Sequence, residues 1–415
     1  MVGNSGVQRM VTNNILLNRI DKELYAIKVI DKDTFFFESL WEIPERVSYN
    51  SYLLLTNEGA VVFDTVKSRY AVDYIETIKS IVDPRDIRYI VIHHMEPDHS
   101  GAIKELLSNY KPTVLGHPLT RGMLQSFYGV NPEFKPVQDG AIIKVGEFSF
   151  RFIHAPWQHW PETILTLVEE KSYLFSCDLF GSYGRFSNIY LDELSSEEKK
   201  KYEKLYVKYY ANVVGSFRDW TLKAVEKLRA IRDKVREIHP AHGLSLRDRD
   251  IDWGLAKYSI LGRGEYLKGK VAIVYTSMYG FVDDAAKYVI SSLERRGIHP
   301  VVYVFNDHHR DNVSELLGDV YESEALVFLT STYEADMFPL AKHMLELILK
   351  KTPVRKVLLI GVYGWGGKTS QALQKILQEK RAGSTGITVE TVEFKAGELY
   401  KAKENIENAL DNVLK

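Results

Sequence analysis

The feature of this sequence that most restricts its fold is a cluster of metal-binding side chains directly after a hydrophobic strand. The segment HHMEPDHSG follows the apolar run RYIVI and brings His94, Glu96, Asp98 and His99 together within six positions. Packing alone does not explain such a cluster, because imidazoles and carboxylates are costly to bury unpaired. The cluster therefore predicts a metal site at the end of a buried strand.

Three further potential ligands follow other predicted strands in the same way. His159 lies beyond FRFIHA, Asp178 ends YLFSCD, and His242 lies beyond VREIHP. In layered sheets, ligands bind outside the carboxyl ends of the strands. We therefore expect four strand ends to converge on one crevice.

Three neighbouring side chains are expected to stay out of this site. His93 adjoins His94 in an extended segment, where neighbours point to opposite faces. His154 is set apart by its spacing from the cluster. By the same alternation, Cys177 faces away from Asp178 and is expected to be a buried core thiol.

The pattern of the chain changes between residues 247 and 269. Before this segment, residues 24–64 alternate like antiparallel strands with a hairpin turn at 57–59, and a later helix begins with the capping box of Ser195 and Glu198. The segment itself loses clear periodicity and carries glycine and mixed charge, which indicates a domain connection. We expect two domains, over residues 1–255 and 268–415.

The second half alternates short apolar strands with helices, which is typical of a doubly wound parallel sheet with five strands. Three of these strands are followed by the loops TSMYG, STYEADMFP and GVYGWGG. Helix N-termini in such loops offer N–H groups to a phosphate, and aromatic side chains can enclose a flat ring. The candidate cofactor-binding residues in the loops are Thr276, Ser277, Met278, Tyr279, Gly280, Ser331, Thr332, Tyr333, Tyr363, Gly364, Trp365 and Gly366.

Composition narrows the possible partners. The chain has 54 basic and 55 acidic residues, so no basic field favours nucleic acid or an anionic membrane. The single cysteine forbids an intrachain disulfide and suits a reducing cytoplasm, which is the expected location. The sequence contains no apolar signal peptide or membrane span. Small molecules and proteins are the expected partners.

The metal-site residues resemble those of the metallo-β-lactamase fold, from the loop at 94–99 to His159 in HWPE, Asp178 in SCDLFG and His242 in PAHG. Hydrolases of that fold usually carry a second histidine where this chain has Glu96. The variant H-x-E-x-D-H resembles the flavodiiron proteins, also called A-type flavoproteins. A carboxylate there adds a hard anionic oxygen, which suits iron better than zinc. The resemblance implies an α/β chain with an αββα metallo-β-lactamase-like sandwich followed by a flavodoxin-like domain.

The resemblance also implies which residues hold a non-haem diiron centre. One iron would take His94, Glu96 and His159, the other would take Asp98 and His242, and Asp178 would bridge them. These side chains are also the expected catalytic residues. His99 follows the motif and is kept as a further candidate ligand, since its role varies in such sites.

The three loops of the second half resemble the FMN site of a flavodoxin-like domain. The implied reaction is reduction of dioxygen to water or of nitric oxide to nitrous oxide, with electrons relayed through FMN. Without a CxxC pair for a fused rubredoxin, an external donor such as rubredoxin or a flavin reductase is expected. The family further implies a head-to-tail homodimer or a dimer of dimers.

The first flavin loop departs from the family pattern. Serine or threonine is usual late in this loop, whereas Phe281 and Val282 stand here, followed by Asp283 and Asp284. The flavin phosphate would then depend on backbone N–H groups, Thr276 and Ser277. The two carboxylates compete for the same positive helix end.

Two other classes of function remain open on sequence grounds. One is a dinuclear zinc hydrolase with an accessory flavodoxin-like domain, in which metal-bound hydroxide attacks an ester or phosphoester. Glu96 argues against it. The other is a flavin electron-transfer or sensor module with a metal-free first domain, which would leave three carboxylates crowded together.

Overall fold

The computed structural model describes residues 8–380 and 386–415. The chain divides after Gly262 into two compact units, each with its own hydrophobic core. The segment that was expected to be an irregular connection is mostly helical, because Arg249–Arg263 form one α-helix. Its glycines are packing positions, since a Cβ on Gly254 or Gly262 would lie 2.8 Å from a leucine side chain.

The first ten strands belong to the first unit, and eight of them build its larger sheet. They are β1 (Gln8–Met10), β2 (Ile15–Arg19), β3 (Leu24–Asp31), β4 (Phe36–Phe37), β5 (Trp41–Glu42), β6 (Val47–Thr56), β7 (Gly59–Phe63), β8 (Ile87–Ile92), β9 (Thr113–Gly116) and β10 (Phe134–Pro136). Eight of them form one sheet in the order β1-β2-β3-β6-β7-β8-β9-β10, and β4 pairs with β5. The predicted hairpin is confirmed, with Thr56 opposite Gly59. Gly59 has a φ of 123°, which favours glycine at this turn.

A second, six-stranded sheet completes the first unit. Its strands are β11 (Ile142–Val145), β12 (Phe148–His154), β13 (Ile164–Val168), β14 (Tyr173–Cys177), β15 (Glu237–Pro240) and β16 (Leu246–Arg247). The α-helices of this unit are α1 (Ala71–Lys79), α2 (Pro97–Ser100), α3 (Ile103–Asn109), α4 (Thr120–Tyr128), α5 (Ser196–Tyr209), α6 (Arg218–Arg229) and α7 (Arg249–Arg263). The predicted capping box at the start of α5 is present.

The core of the first unit lies between the two sheets. Alternate residues of β12, Phe148, Phe150 and Phe152, are buried in one cluster with residues of β6, β7 and β8. Phe63 of β7 stacks on Phe175 of β14 with ring centroids 4.0 Å apart. Two sheets joined by such a core form the expected sandwich.

The second unit is a doubly wound sheet. It contains β17 (Leu267–Thr276), α8 (Phe281–Arg295), β18 (Val301–Phe305), α9 (Val313–Tyr321), β19 (Ser323–Tyr333), β20 (Asp336–Met337), α10 (Pro339–Lys351), β21 (Lys356–Tyr363), α11 (Thr369–Lys380), β22 (Thr388–Lys395) and α12 (Leu399–Leu414). The parallel strands follow the order β18-β17-β19-β21-β22, as expected for a flavodoxin-like sheet, and β20 pairs antiparallel with β19. All the loops after the parallel strands therefore lie at one edge of the sheet. Among the described residues, no helix combines the length and apolar character needed to cross a bilayer.

A buried histidine of the first unit makes the stability of the fold depend on pH. His239 of β15 lies among Tyr52, Tyr173 and Phe175, and burial lowers its pKa to about 3. Below pH 6.5 the imidazole of His239 binds a proton in the unfolded chain but not in the folded chain. The free energy of unfolding therefore falls as the pH drops from 6.5 towards 3. We expect His239→Gln to reduce this slope by up to about 1.4 kcal/mol per pH unit.

The measurement is the free energy of unfolding by denaturant at several pH values between 6 and 4. The matched control is His299→Gln, because His299 is exposed. An unchanged slope in His239→Gln would contradict the prediction.

Candidate diiron centre and flavin pocket

The predicted ligands of the first unit are brought together from four segments of the chain. His94 and Glu96 follow β8, and Asp98 and His99 lie in the short helix α2. His159 lies in the loop between β12 and β13, Asp178 directly follows β14, and His242 lies just beyond β15, after Ala241. Their convergence at strand ends agrees with the expectation from the sequence.

The backbone near these residues shows why they turn inward. Pro97 takes the first position of α2, where its missing N–H is no loss, and Glu96 is the N-cap. His159 and Cys177 have φ values of 58° and 48°, in the left-handed region that non-glycine residues seldom adopt. Such conformations cluster at functional sites, where the surroundings hold them in place.

One group of donor atoms comprises His94, Glu96, His159 and Asp178. Nε2 of His94 lies 3.2 Å from Nε2 of His159 and 3.3 Å from Oε2 of Glu96. Oδ2 of Asp178 lies 3.4 Å from Nε2 of His94 and 3.2 Å from Nε2 of His159. Donor atoms that share a small cation are about this far apart.

A second group comprises Asp98, His99 and His242. Nε2 of His99 lies 3.4 Å from Oδ1 of Asp98, and Nε2 of His242 lies 3.4 Å from Oδ2 of the same carboxylate. The sequence left the role of His99 open, and the structure brings its ring into this group.

Asp178 belongs to the first group and lies next to the second through its other oxygen. Whereas Oδ2 faces His94 and His159, Oδ1 lies 3.0 Å from Nε2 of His99 and 3.3 Å from Nε2 of His242. A carboxylate placed between two donor sets in this way is suited to bridge two cations.

Two of the imidazoles are oriented by acceptors on the side away from the cluster. Nδ1 of His94 donates to Oε1 of Glu162 at 3.0 Å, and Nδ1 of His242 donates to the carbonyl oxygen of Ser48 at 2.9 Å. Each bond leaves the Nε2 lone pair directed at the cluster, as in other histidine metal sites. Sequence reasoning missed Glu162, although a glutamate before the apolar run TILTLV was a visible signal.

Sequence reasoning also missed Tyr209, the last residue of α5. Its hydroxyl donates to Oδ1 of Asp178 at 2.9 Å, and its ring is fully buried. A π-helical turn, Tyr210–Val214, follows directly. Such turns are frequent at functional sites.

The electrostatics of the cluster favour a cation. Burial lowers the pKa of His94, but the nearby carboxylates of Glu162 and Glu96 outweigh burial and raise it to about 10. Carboxylates likewise overcome burial to raise the pKa of His242 to about 10 and those of His99 and His159 to about 9. Metal binding would release these protons and neutralise the same carboxylates.

Orphaned polar atoms support the same conclusion. Both carboxylate oxygens of Asp98 and Nε2 of His242 are buried and, within the described parts of the chain, form no aligned hydrogen bond. Buried polar atoms without partners are rare. Three carboxylates and four imidazoles at this place fit a pair of iron ions, for which hard oxygen ligands are favourable.

The histidines expected to lie outside the site do so. His93 pairs through Nδ1 with Asp64 at 2.8 Å and through Nε2 with Thr166 at 2.9 Å. Nε2 of His154 lies 3.0 Å from the carbonyl oxygen of Val137. Neither ring belongs to a donor group found among the described residues.

Cys177 is buried, as expected, but the alternation argument for its direction was wrong. Its sulfur lies within 4.8 Å of donor atoms of His99 and Asp178. The left-handed backbone at Cys177 breaks the strand geometry on which alternation depends. Burial raises the pKa of the thiol well above its usual range, so the protonated form, a poor ligand, is favoured.

The second unit contains a pocket of about 340 Å³ at the edge where its parallel strands end. Eight of the candidate cofactor-binding residues line it, namely Met278, Tyr279, Ser331, Thr332, Tyr333, Tyr363, Gly364 and Trp365. Tyr279 and Trp365 are 83% and 94% exposed, so their rings are available to a flat ligand. Oγ of Ser331 is buried, has no hydrogen-bond partner in residues 8–380 and 386–415, and offers a polar group to the same ligand. This lining fits a flavin ring.

Four candidates do not line the pocket, namely Thr276, Ser277, Gly280 and Gly366. Thr276 is buried below the loop, where its hydroxyl pairs with that of Thr330 at 2.7 Å. Phe281 and Val282 line the pocket instead. Sequence reasoning singled out these two residues only as departures in the phosphate loop.

Comparisons with known proteins agree with both halves. A family model described as ODP family beta lactamase matches residues 47–243, and the flavodoxin family model matches residues 273–408. The whole structure is similar to a mutant of the flavo di-iron protein from Thermotoga maritima, with a TM-score of 0.88 and 34% identity, covering 97% of this chain and 99% of that chain.

The chain belongs to the flavodiiron protein family. Two further relatives of this flavodiiron protein carry names that describe an activity. A protein of Moorella thermoacetica named nitric oxide reductase is 26% identical over 86% of this chain and 87% of its own. The rubredoxin-oxygen oxidoreductase of Megalodesulfovibrio gigas is 26% identical over 85% of this chain and 87% of its own. The protein is an oxidoreductase whose cofactors are FMN and a non-haem diiron centre.

Proposed function

We propose that this flavodiiron protein reduces dioxygen to water, nitric oxide to nitrous oxide, or both, at a diiron centre in its first unit. The observation that carries the proposal is the position of Asp178, whose two oxygens face two different groups of donor atoms. The names of the Moorella and Megalodesulfovibrio relatives support these two gases as substrates.

We assign the ligands of the two irons to the two donor groups. His94, Glu96 and His159 hold the first iron, and Asp98, His99 and His242 hold the second. Asp178 bridges them. When bound, the cofactors would supply the redox chemistry, since FMN takes up electrons in pairs and the two irons would deliver them to one dioxygen or to two nitric oxide molecules.

The surrounding residues keep this donor set in place. Glu162 and Ser48 orient the rings of His94 and His242, which keeps their Nε2 atoms directed at the irons. The Tyr209 hydroxyl holds Oδ1 of Asp178, so the bridging carboxylate has one fixed orientation.

Electrons would reach the irons through the flavin from a separate donor protein. The metal donors all belong to the first unit and the residues that line the flavin pocket all belong to the second. We propose rubredoxin or a flavin reductase as the donor, a choice supported by the name of the Megalodesulfovibrio relative. We also propose a head-to-tail dimer, or a dimer of dimers, in which the flavin of one subunit serves the irons of the other.

The alternative of a zinc hydrolase is less well supported. The first donor group contains the carboxylate of Glu96, whose Oε2 lies 2.8 Å from Nε2 of His159. A hard anionic oxygen at this place favours iron over zinc.

The experiment is a determination of metal and flavin in the purified protein, followed by anaerobic assays with dioxygen and nitric oxide. We expect two irons and one FMN per chain, and consumption of at least one of the gases when a reduced donor is supplied. Two zincs without iron, in protein made with iron available, would overturn the proposal in favour of the hydrolase. Full loading without consumption of either gas would overturn the proposed substrates.

A further inference from the structure

The first loop of the flavin pocket is hydrogen-bonded to a carboxylate of the protein itself, that of Asp283. The hydroxyl of Ser277 donates a hydrogen bond to Oδ2 of Asp283, in the first turn of α8. Burial and the carboxylate of Asp283 together raise the pKa of Tyr275. Asp283 therefore occupies the side-chain donors that this loop would otherwise direct at a bound phosphate.

Apart from that of the exposed Tyr279, the remaining hydroxyls of the loop are absent or engaged. Phe281 and Val282 carry none, and the hydroxyl of Thr276 is paired with Thr330. The N–H of Ser277 is bonded to the carbonyl oxygen of Phe305 at 2.9 Å. Since a phosphate needs several such donors, it would depend on the backbone N–H groups that follow Ser277 and not on side-chain hydroxyls.

The negative charge at the start of α8 also disfavours a bound phosphate. Asp283 and Asp284 both lie in the first turn of α8, where they already balance the positive end of the helix dipole. A phosphate that approached this end would be repelled by two carboxylates. The flavin phosphate therefore gains little from the helix that follows the loop.

The side chains that can contact the flavin ring are all present in the pocket. Tyr279, Tyr333, Tyr363 and Trp365 line it, and the buried hydroxyl of Ser331 has no hydrogen bond among the described residues. Stacking and apolar contact with the ring do not depend on a phosphate.

We propose that Asp283 takes the place of the flavin phosphate, so that the pocket binds a flavin by its ring and binds riboflavin nearly as tightly as FMN. The inference rests on the flavin pocket of the proposed function, but not on the diiron chemistry. It identifies Asp283 as the residue that sets the preference between phosphorylated and unphosphorylated flavins.

The test measures the dissociation constants of riboflavin and FMN for the full chain after removal of its flavin, by quenching of flavin fluorescence. We expect the two constants to agree within about threefold. We expect Asp283→Asn to tighten FMN binding about tenfold and to leave riboflavin binding unchanged.

The matched control is Asp284→Asn, which makes the same charge change in the same helical turn. The side chain of Asp284 is 68% exposed, so solvent screens its charge and a smaller effect is expected, below about threefold. Equal effects of both substitutions would show a general charge effect and overturn the role of Asp283.

A second variant tests the loop after β18 as another phosphate anchor. His308, His309 and Arg310 line a separate polar cavity of about 550 Å³ after β18. Arg310→Ala should leave the ratio of the two constants unchanged. If FMN bound more than about 30-fold tighter than riboflavin, or if Arg310→Ala weakened FMN alone, the proposal would be overturned. Failure of both flavins to bind would instead overturn the flavin assignment of the proposed function.

Discussion

Replacing Asp178 by asparagine is expected to remove both irons and all turnover. Each carboxylate oxygen of Asp178 faces a different pair of imidazoles, so this one side chain serves both donor groups. Asparagine keeps the size of the side chain but removes the charge, and its NH₂ group would face a pair of imidazoles. We expect each iron to bind more than about 100-fold more weakly, because changes outside the ligand set alone reach that size. Elemental analysis and gas consumption measure the effect.

The matched control for this prediction is Cys177→Ala. Cys177 is the neighbouring residue, is equally buried and has its sulfur near the same donor atoms. If the buried thiol is not a ligand, this variant keeps both irons. Retention of one tightly bound iron in Asp178→Asn would contradict a shared bridge, and loss of iron in Cys177→Ala would make the thiol a ligand.

The convergence of the donor residues could be predicted from the sequence. The rule that ligand sites lie beyond strand ends requires only that each residue follow a strand, and it does not depend on how far apart the residues are in the sequence. Asp178 and His242 are far apart in sequence, but each lies just beyond an apolar run that reads as a strand. Ligand sites in layered sheets lie beyond strand ends, so residue type and place in the pattern were sufficient. The same argument located the loops that line the flavin pocket.

Directions of single side chains were not predictable in the same way. Alternation failed at Cys177 because its φ of 48° lies outside strand geometry, and no local residue pattern signals such a backbone. The helix α7 was missed because Gly254 and Gly262 allow close packing with Leu246 and Leu222, which lie outside the helix. Both features depend on tertiary contacts.

The residues that form hydrogen bonds to the candidate ligands could not be identified from the sequence either. Tyr209 occupies a helical position typical of core packing, and only the fold brings its hydroxyl to 2.9 Å from Asp178. Glu162 stands out as a carboxylate before an apolar strand, but its partner His94 is 68 residues away. In both cases the residue type indicates a polar partner, and the fold alone identifies it.

His99 is the candidate ligand whose role the sequence left open, and we expect its replacement to distinguish the two proposed irons. Its Nε2 lies 3.4 Å from Oδ1 of Asp98 and 3.0 Å from Oδ1 of Asp178, which places it with the second donor group. We expect His99→Ala to weaken the second iron more than about 100-fold and to leave the first in place, since the loss of a ligand exceeds that of an outer partner. Iron content should then fall by half at unchanged flavin content.

Added imidazole distinguishes a ligating role of His99 from a purely structural one. The alanine variant leaves space for added imidazole, which we expect to restore iron at the second position because it offers the same nitrogen donor. The matched control is His154→Ala, which removes a histidine outside both donor groups and should leave the iron content unchanged, with or without imidazole. Full iron content in His99→Ala without imidazole would contradict ligation, and loss of both irons that imidazole does not reverse would mean that His99 supports the loop itself.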